Sequence, residues 1–491
     1  MTLGPDTLDA LGADLRAAGF TVDGVAELLG DQAHAALGRG VWWPAARVAD
    51  GADPLSTLVR LFLLGAQVPR AQLEGTFPTA SPAALLAGGV LETVDGSVRA
   101  ALDIRPHSDG ARDFLVVSDQ DAALRGGPLR RDHVLGIGGA SMSLARAVVR
   151  TPVRRALDLG TGCGIQALHL DGHCEQIVGT DTNERALMLA AATARLNGMS
   201  WDLRSGSLFE PVAGERFDLI VSNPPFVIGS GASDYEYRDS GVAGDGVCRT
   251  LVQQVGDHLN PGGTAQIMAN WIVREGDWRD RVREWLAGTG LHAWVVQREL
   301  ADPVSYVSLW LADAGESQDQ TARRGGAWLD WFAEQGITGI GMGLISLRRP
   351  VEGVAPEQIL EEITAADELV TGAEVEAFFA RRGYLRATSD STLLAARLST
   401  APVFLEQQSL PGPDGWQQVG AAVRRPGGPG AVIGVDEVLT ALLAGCRGEV
   451  PLGTLIALLA AHHGVDADAL AEVALPEVRE AIGRGILYQA Q

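Results

Sequence analysis

The stretch that most constrains this chain runs from Arg155 to Phe226. Ala156-Leu157-Asp158-Leu159 is a short apolar run that ends in Gly160-Thr161-Gly162-Cys163-Gly164, and an apolar helical segment follows at once over 165–170. A strand that enters a glycine turn at a helix start lets a bulky ligand approach the backbone, because residues without a β-carbon leave room and choose φ freely. A second strand over 176–180 ends in Asp181, about 20 residues beyond the turn, where a carboxylate can accept hydrogen bonds from a ribose diol. A third strand over 217–222 delivers Asn223-Pro224-Pro225-Phe226 to the same edge. Open α/β sheets bind ligands at the C-terminal ends of their strands, so the three motifs converge on one crevice.

The glycine turn alone does not separate this chemistry from that of nicotinamide enzymes. The proline corner does. Proline lacks an amide hydrogen, so Asn-Pro-Pro-Phe offers carbonyl acceptors with few competing donors. Those carbonyls and the Asn223 side-chain oxygen can accept both hydrogens of a planar amino group while the Phe226 ring covers its flat face.

Asp158 to Gly164, Gly179-Thr180-Asp181, Gly206-Ser207-Leu208-Phe209-Glu210-Pro211 and Asn223 to Phe226 together resemble the class I S-adenosylmethionine (SAM) dependent N-methyltransferases. Within that group they are similar to release-factor glutamine methyltransferases, ribosomal RNA guanine and adenine amino methyltransferases, and methyltransferase small domain proteins. The likeness covers roughly residues 130–350. It implies that Asp158, Gly160, Thr161, Gly162 and Gly164 line the methionine end of SAM and that Asp181 holds the ribose. It also implies that Gly138 and Ala140 lie over the methionine, and that Asn223, Pro224, Pro225 and Phe226 grip the acceptor nitrogen. Relatives carry an acid against the adenine amino group where this chain has Ser207, so adenine recognition falls to Ser207, to Leu208 or to backbone. The implied fold is α/β: a Rossmann-like, seven-stranded core with helical, winged-helix-like flanks.

At 491 residues the chain exceeds a single core. The expected division is an N-terminal helical domain over 1–104, the methyltransferase domain over 105–350 and an accessory domain over 351–491. The first hundred residues read as helices over 7–18, 22–29, 31–38, 54–64 and 82–87, and then a hairpin over 91–100 whose Asp95-Gly96 suits a type I′ turn. Eleven acids against six arginines there favour a docking module over a DNA reader. A strand is expected over 113–118 and a helix over 142–149. Beyond the core, helices are expected over 357–365, 372–382, 435–444, 452–461, 466–473 and 476–485.

The polar segment after Phe226, with Tyr235, Tyr237 and Arg238, is the expected substrate loop. Basic residues total 39 and none is lysine, which excludes a P-loop lysine, a pyridoxal Schiff base and a kinase lysine. Glycine, alanine and arginine usage suggests a bacterial origin. Cys163, Cys174, Cys248 and Cys446 are scattered without a C-x-x-C pair, which suits reduced thiols and a cytoplasmic location. No signal peptide, membrane span or metal motif is read, although His169 and His173 lie one helical turn apart.

Three acceptor classes stay open: a glutamine-type amide in a protein, an exocyclic base amine in RNA or DNA, and a small-molecule amine. A SAM-binding scaffold without activity is the alternative outside enzymes. The formal net charge of −22 opposes a polyanion and favours the protein acceptor.

Overall fold

The computed structural model describes residues 4–121, 124, 129–231, 241–312, 318–351, 353–413 and 415–490. Contacts divide it into two compact units: residues 1–145, 151–293 and 300–358, and residues 146–150, 294–299 and 359–491.

The first unit begins with helices Pro5–Ala17 and Val22–Gly38. The second is broken at Gly30, whose φ of 69° and ψ of 163° are not helical, so the two helices expected over 22–29 and 31–38 are both present. Strands β1 (Leu91–Val94) and β2 (Ser97–Ala100) form the expected hairpin. Asp95 and Gly96 both have positive φ, as a type I′ turn requires. A second antiparallel pair follows, β3 (Leu102–Ser108) with β4 (Asp113–Asp119); β3 was not expected from the sequence. Leu8, Leu11 and Leu15 of the first helix share one apolar core with Ile165, Leu168, Leu189 and Leu196 of the helices behind the glycine turn. The buried Asp14 carboxylate is satisfied by the backbone N–H groups of Thr79 and Ala80.

The central sheet is built from β5 (Val153–Leu159), β6 (Cys174–Asp181), β7 (Asp202–Ser205), β8 (Phe217–Ser222), β9 (Leu259–Val273), β10 (His292–Ala301), β11 (Gly339–Arg348) and β12 (Gln358–Glu362). Their order is β12-β10-β11-β9-β8-β5-β6-β7. The strands from β7 to β9 pair in parallel, and β11 runs antiparallel to β9. This is the Rossmann-like core of the class I methyltransferase fold, with one strand beyond seven.

The extra strand corrects an expectation, because the sequence predicts helix over 357–365. Gln358–Glu362 is extended instead: it lies at the open edge beside β10, where backbone pairing offsets a weak helical preference.

In the second unit, the Trp294 ring stacks on Phe378 at 4.5 Å and its indole N–H donates to Glu361 at 2.7 Å. Arg381 and Arg425 both reach the Glu374 carboxylate at 2.7 Å. Helices Glu437–Gly445, Leu452–His463 and Ala467–Gly483 pack with a three-stranded antiparallel sheet made of Arg447–Pro451, Arg397–Thr400 and Leu487–Gln489. The last helix corrects a second expectation: it runs unbroken through Pro476, where two helices were read. Ala474, Leu475, Val478, Ala481 and Ile482 are buried along it, which outweighs the one backbone hydrogen bond that proline removes. The unit also carries an exposed hairpin, Phe404–Gly412 with Gly415–Arg424, that the sequence reading did not find.

Candidate active site

Strand register brings the motifs together. Leu159, the last residue of β5, is paired with Thr180 on one side and Ser222 on the other, and Asp181 is paired with Ser205. Gly160, Asn223 and Gly206 therefore each stand one residue beyond the paired strand ends, beside Asp181. The Ser222 hydroxyl donates to the Leu159 carbonyl at 2.8 Å and fixes the β5–β8 edge.

Hydrogen bonds define the glycine turn at nearly every position. The N–H groups of Gly160 and Thr161 both donate to the Thr180 carbonyl at 2.9 Å. Gly162 N–H donates to Asp181 Oδ2 at 2.9 Å, while Asp181 Oδ1 accepts from Asn183 N–H at 2.9 Å. Asp158 lies beneath the turn, fully buried; its Oδ2 accepts from Thr161 Oγ1 at 2.7 Å and from Ala167 N–H at 3.0 Å. Its Oδ1 is enclosed and has no partner among the described residues. Burial first, then the charge of Asp181, pushes the Asp158 carboxyl up to about 7, against the hydrogen bonds from Thr161 and Ala167. Burial likewise raises the Cys163 thiol to about 12, so that cysteine is a packing residue.

The three glycines of the turn do different work. All have positive φ. Among the described residues a β-carbon at Gly160 or Gly162 would meet nothing within 4 Å, so both border open space there. One at Gly164 would lie 2.6 Å from the Trp201 ring, so the third glycine admits a core side chain. Gly138, just before helix Gly139–Ala147, also borders open space. That helix starts three residues earlier than expected and places Ala140 in its first turn.

The loop after β7 is strained. Leu208 has φ 49°; the only other non-glycine with positive φ among the described residues is Asp95 in its hairpin turn. A bulky residue in this conformation costs free energy, and such strain concentrates at ligand sites. Ser207 is exposed and Leu208 half-buried. Gly206 N–H donates to the Asp181 carbonyl at 3.0 Å, which ties this loop to the β6 end.

At the proline corner, Asn223 Nδ2 donates to Ser141 Oγ at 3.5 Å, and Asn223 Oδ1 is buried without a partner among the described residues. Pro224 is buried; Pro225 and Phe226 are half-buried. Behind them stands an aromatic group that the sequence reading missed. Helix Pro303–Ala312 supplies Tyr306 and Trp310, and helix Gln318–Glu334 supplies Trp328 and Phe332. Phe226 meets Trp310 edge-on at 6.1 Å. The fully buried Tyr306 hydroxyl accepts from Ile228 N–H at 2.9 Å and from Asn270 Nδ2 at 3.0 Å, while Trp328 Nε1 donates to the Ile228 carbonyl at 2.9 Å. The chain leaving the corner is thus clamped at both polar groups of Ile228. One signal could have revealed the first of these helices: Asp302-Pro303, whose carboxylate caps it by accepting from Val304 and Ser305 N–H.

Tyr235, Tyr237 and Arg238 lie outside the described residues. His169 is not paired with His173 in a ligand set; its Nε2 lies 2.9 Å from that of His107 on β3. Among the described residues no group of three metal-ligating side chains occurs, and no helix is long and apolar enough to cross a membrane.

Residues 136–276 match the family model described as methyltransferase small domain, and residues 17–101 and 376–489 match two domains of unknown function. The chain is 36% identical over 163 residues to a release factor glutamine methyltransferase of Xylella fastidiosa, a match that covers 30% of this chain and 56% of that protein. It is 33% identical over 150 residues to a ribosomal protein uL3 glutamine methyltransferase of Bradyrhizobium diazoefficiens, covering 28% and 46%. To a ribosomal RNA small subunit methyltransferase C of Alcanivorax borkumensis it is 29% identical over 126 residues, covering 26% and 35%. The chain spans about half the length of the first of the curated relatives it matches. Among solved structures, a T. thermophilus 16S rRNA N2 G1207 methyltransferase in complex with AdoMet and guanosine is 21% identical, with a TM-score of 0.26 over 46% of this chain and 62% of that one.

Proposed function

We propose that this chain is a SAM-dependent N-methyltransferase whose acceptor is a planar amide or amino nitrogen, of the glutamine type and carried by a protein. The observation that carries the reading is the pair of features on one strand edge: an unpartnered, buried amide oxygen at Asn223 and a glycine turn with open space above Gly160 and Gly162. The methyltransferase small domain match supports the class, and so do the relatives, which include both glutamine and RNA methyltransferases.

Asp181, Gly160, Gly162, Gly138 and Ala140 would hold SAM, with the 206–208 loop against its adenine and Leu208, rather than an acid, as the wall. SAM supplies a methyl group already activated by its sulfonium, so positioning and desolvation dominate the rate. Asn223 Oδ1 and the Pro224 carbonyl accept the two hydrogens of the acceptor nitrogen and direct its lone pair into the crevice, and Phe226 covers its flat face. Ser141 keeps the Asn223 amide turned so that its oxygen faces the acceptor.

The protein acceptor is preferred because the chain carries 61 acids against 39 bases, which opposes a nucleic acid track. The RNA methyltransferase relatives favour a second reading, a base amine extruded into the same corner. We also propose a cytoplasmic protein divided into segments 1–104, 105–350 and 351–491, the first of which serves as a docking or substrate-positioning module. Labelled methyl transfer from SAM into a lysate, followed by protease or nuclease, decides the acceptor: label lost to nuclease alone overturns the protein reading. Calorimetry tests the cofactor. SAM should bind and Asp181→Ala should weaken it; NAD binding in its place would reject the assignment.

A further inference from the structure

The Asp158 carboxyl is the least compensated group in the site. It has no exposed surface, Oδ2 is engaged by Thr161 and Ala167, and Oδ1 is enclosed with nothing to accept from. The ionisable groups around it give no help. Asp181, at the end of β6, adds negative charge at the same turn. Cys163, within the turn, is a neutral thiol, and beyond it Asp103 of β3 is engaged with Arg105 at 2.9 Å. Helix Ile165–Leu170 contributes Gln166, whose Nε2 donates to the Ser141 carbonyl, and His169, which pairs with His107. No arginine is bonded to Asp158 among the described residues. A buried carboxyl in this position holds its proton unless a cation arrives nearby.

We propose that Asp158 is protonated while the site is empty and ionises when the cationic cofactor seats on the other side of the glycine turn, so that SAM binding releases a proton. The inference rests on the proposed cofactor reading. Because Oδ1 is enclosed, Asp158 acts on SAM through the field across the turn, in place of the direct contact at the methionine end that the resemblance implies; it is a positioning residue. The consequence is discrimination by charge: a cationic donor gains from ionising Asp158, whereas an uncharged nucleoside gains nothing. The burial that raises the carboxyl to about 7 places the exchange in the neutral range.

Calorimetric titration of the full chain in buffers of different ionisation heat counts the protons. At pH 6.5, where a carboxyl of this kind is largely protonated and an α-amino group is already charged, SAM should release more than about half a proton per site. 5′-Methylthioadenosine, which carries adenosine without positive charge, should release none. Asp158→Asn keeps the acceptor for Thr161 and Ala167 and should abolish the release. Because that variant could fail to fold, infrared difference spectroscopy of the wild-type protein gives a second readout: the carbonyl stretch of a protonated carboxyl should vanish on SAM addition. SAM that binds without proton release, or release that persists in Asp158→Asn, overturns the inference. SAM that does not bind at all overturns the cofactor reading and this inference with it.

Discussion

The two ends of the crevice are built in opposite ways. The glycine turn is over-determined by hydrogen bonds within fewer than thirty residues: Thr180 binds two of its N–H groups, Asp181 a third, and Asp158 ties it to the following helix. The proline corner makes few bonds of its own and is braced from far along the chain, by Tyr306 and Trp328 on Ile228 and by Ser141 on Asn223. A site made this way has one end fixed by local bonds and one end whose shape follows distant elements. The difference implies that variants at the two ends should separate cofactor binding from transfer.

The sharpest way to break this contrast is Asn223→Ala. It removes the unpartnered side-chain acceptor at the corner and should lower kcat by about 10²–10³-fold, the scale for losing one preorganised hydrogen-bonding group, with the SAM dissociation constant nearly unchanged. Single-turnover transfer and calorimetry on the same preparation check it; equal losses in both would mean the two ends are not independent.

The next contrast lies inside the turn. Gly160→Ala and Gly164→Ala both force a side chain into positive φ, at roughly 1–2 kcal/mol each. Only Gly164→Ala also drives a β-carbon into Trp201, which adds about 1–3 kcal/mol. Urea unfolding should therefore rank Gly164→Ala as the less stable, while SAM affinity should suffer more in Gly160→Ala, which fills the open space. Trp201→Leu should restore part of the stability of Gly164→Ala and none of the affinity of Gly160→Ala.

What the sequence revealed divides along the same line. The convergence of Gly160, Asp181 and Asn223 at neighbouring strand ends was legible because a strand end, a turn residue and a polar side chain sit within a few positions of each other, and parallel register does the rest. Tyr306, Trp310 and Trp328 were not, because their role is set by tertiary packing 80 to 100 residues away, as the separations of Tyr306 and Trp328 from Ile228 show. β12 was misread as helix because its conformation is decided by a neighbouring strand and not by local preference. At Gly164 spacing does not reveal what the missing β-carbon makes room for; the packing of Trp201 does.

The rigid end also has a pH signature. The Asp158 carboxyl sits at about 7 in the folded protein against an ordinary 3.8, so the unfolded chain releases that proton first as pH rises. A raised carboxyl therefore lowers stability progressively from about pH 4 to pH 7. Between pH 5 and pH 7 this loss is about 2 kcal/mol from Asp158 alone. Urea unfolding of wild type and Asp158→Asn at both pH values isolates it, since the other groups are common to the two. A wild-type curve with no extra slope would mean that the turn tolerates the buried charge.

The smallest expected effect tests the braced end. Trp328→Phe keeps a ring near Tyr306 and Phe332 but removes the donor to the Ile228 carbonyl, one ordinary hydrogen bond worth about 1 kcal/mol. If the corner is shaped by its distant supports, that small loss of stability should come with a disproportionate rise in acceptor KM at unchanged SAM affinity. The reason is geometric: Ile228 lies two residues beyond Phe226, and losing the donor to its carbonyl loosens the 228–229 peptide, so that Tyr306 on the Ile228 N–H must hold the segment carrying the Phe226 ring without that second brace. A Trp328→Phe protein with unaltered acceptor kinetics would show that the proline corner holds its own shape, and the contrast between the two ends would then reduce to chain distance without consequence for the acceptor.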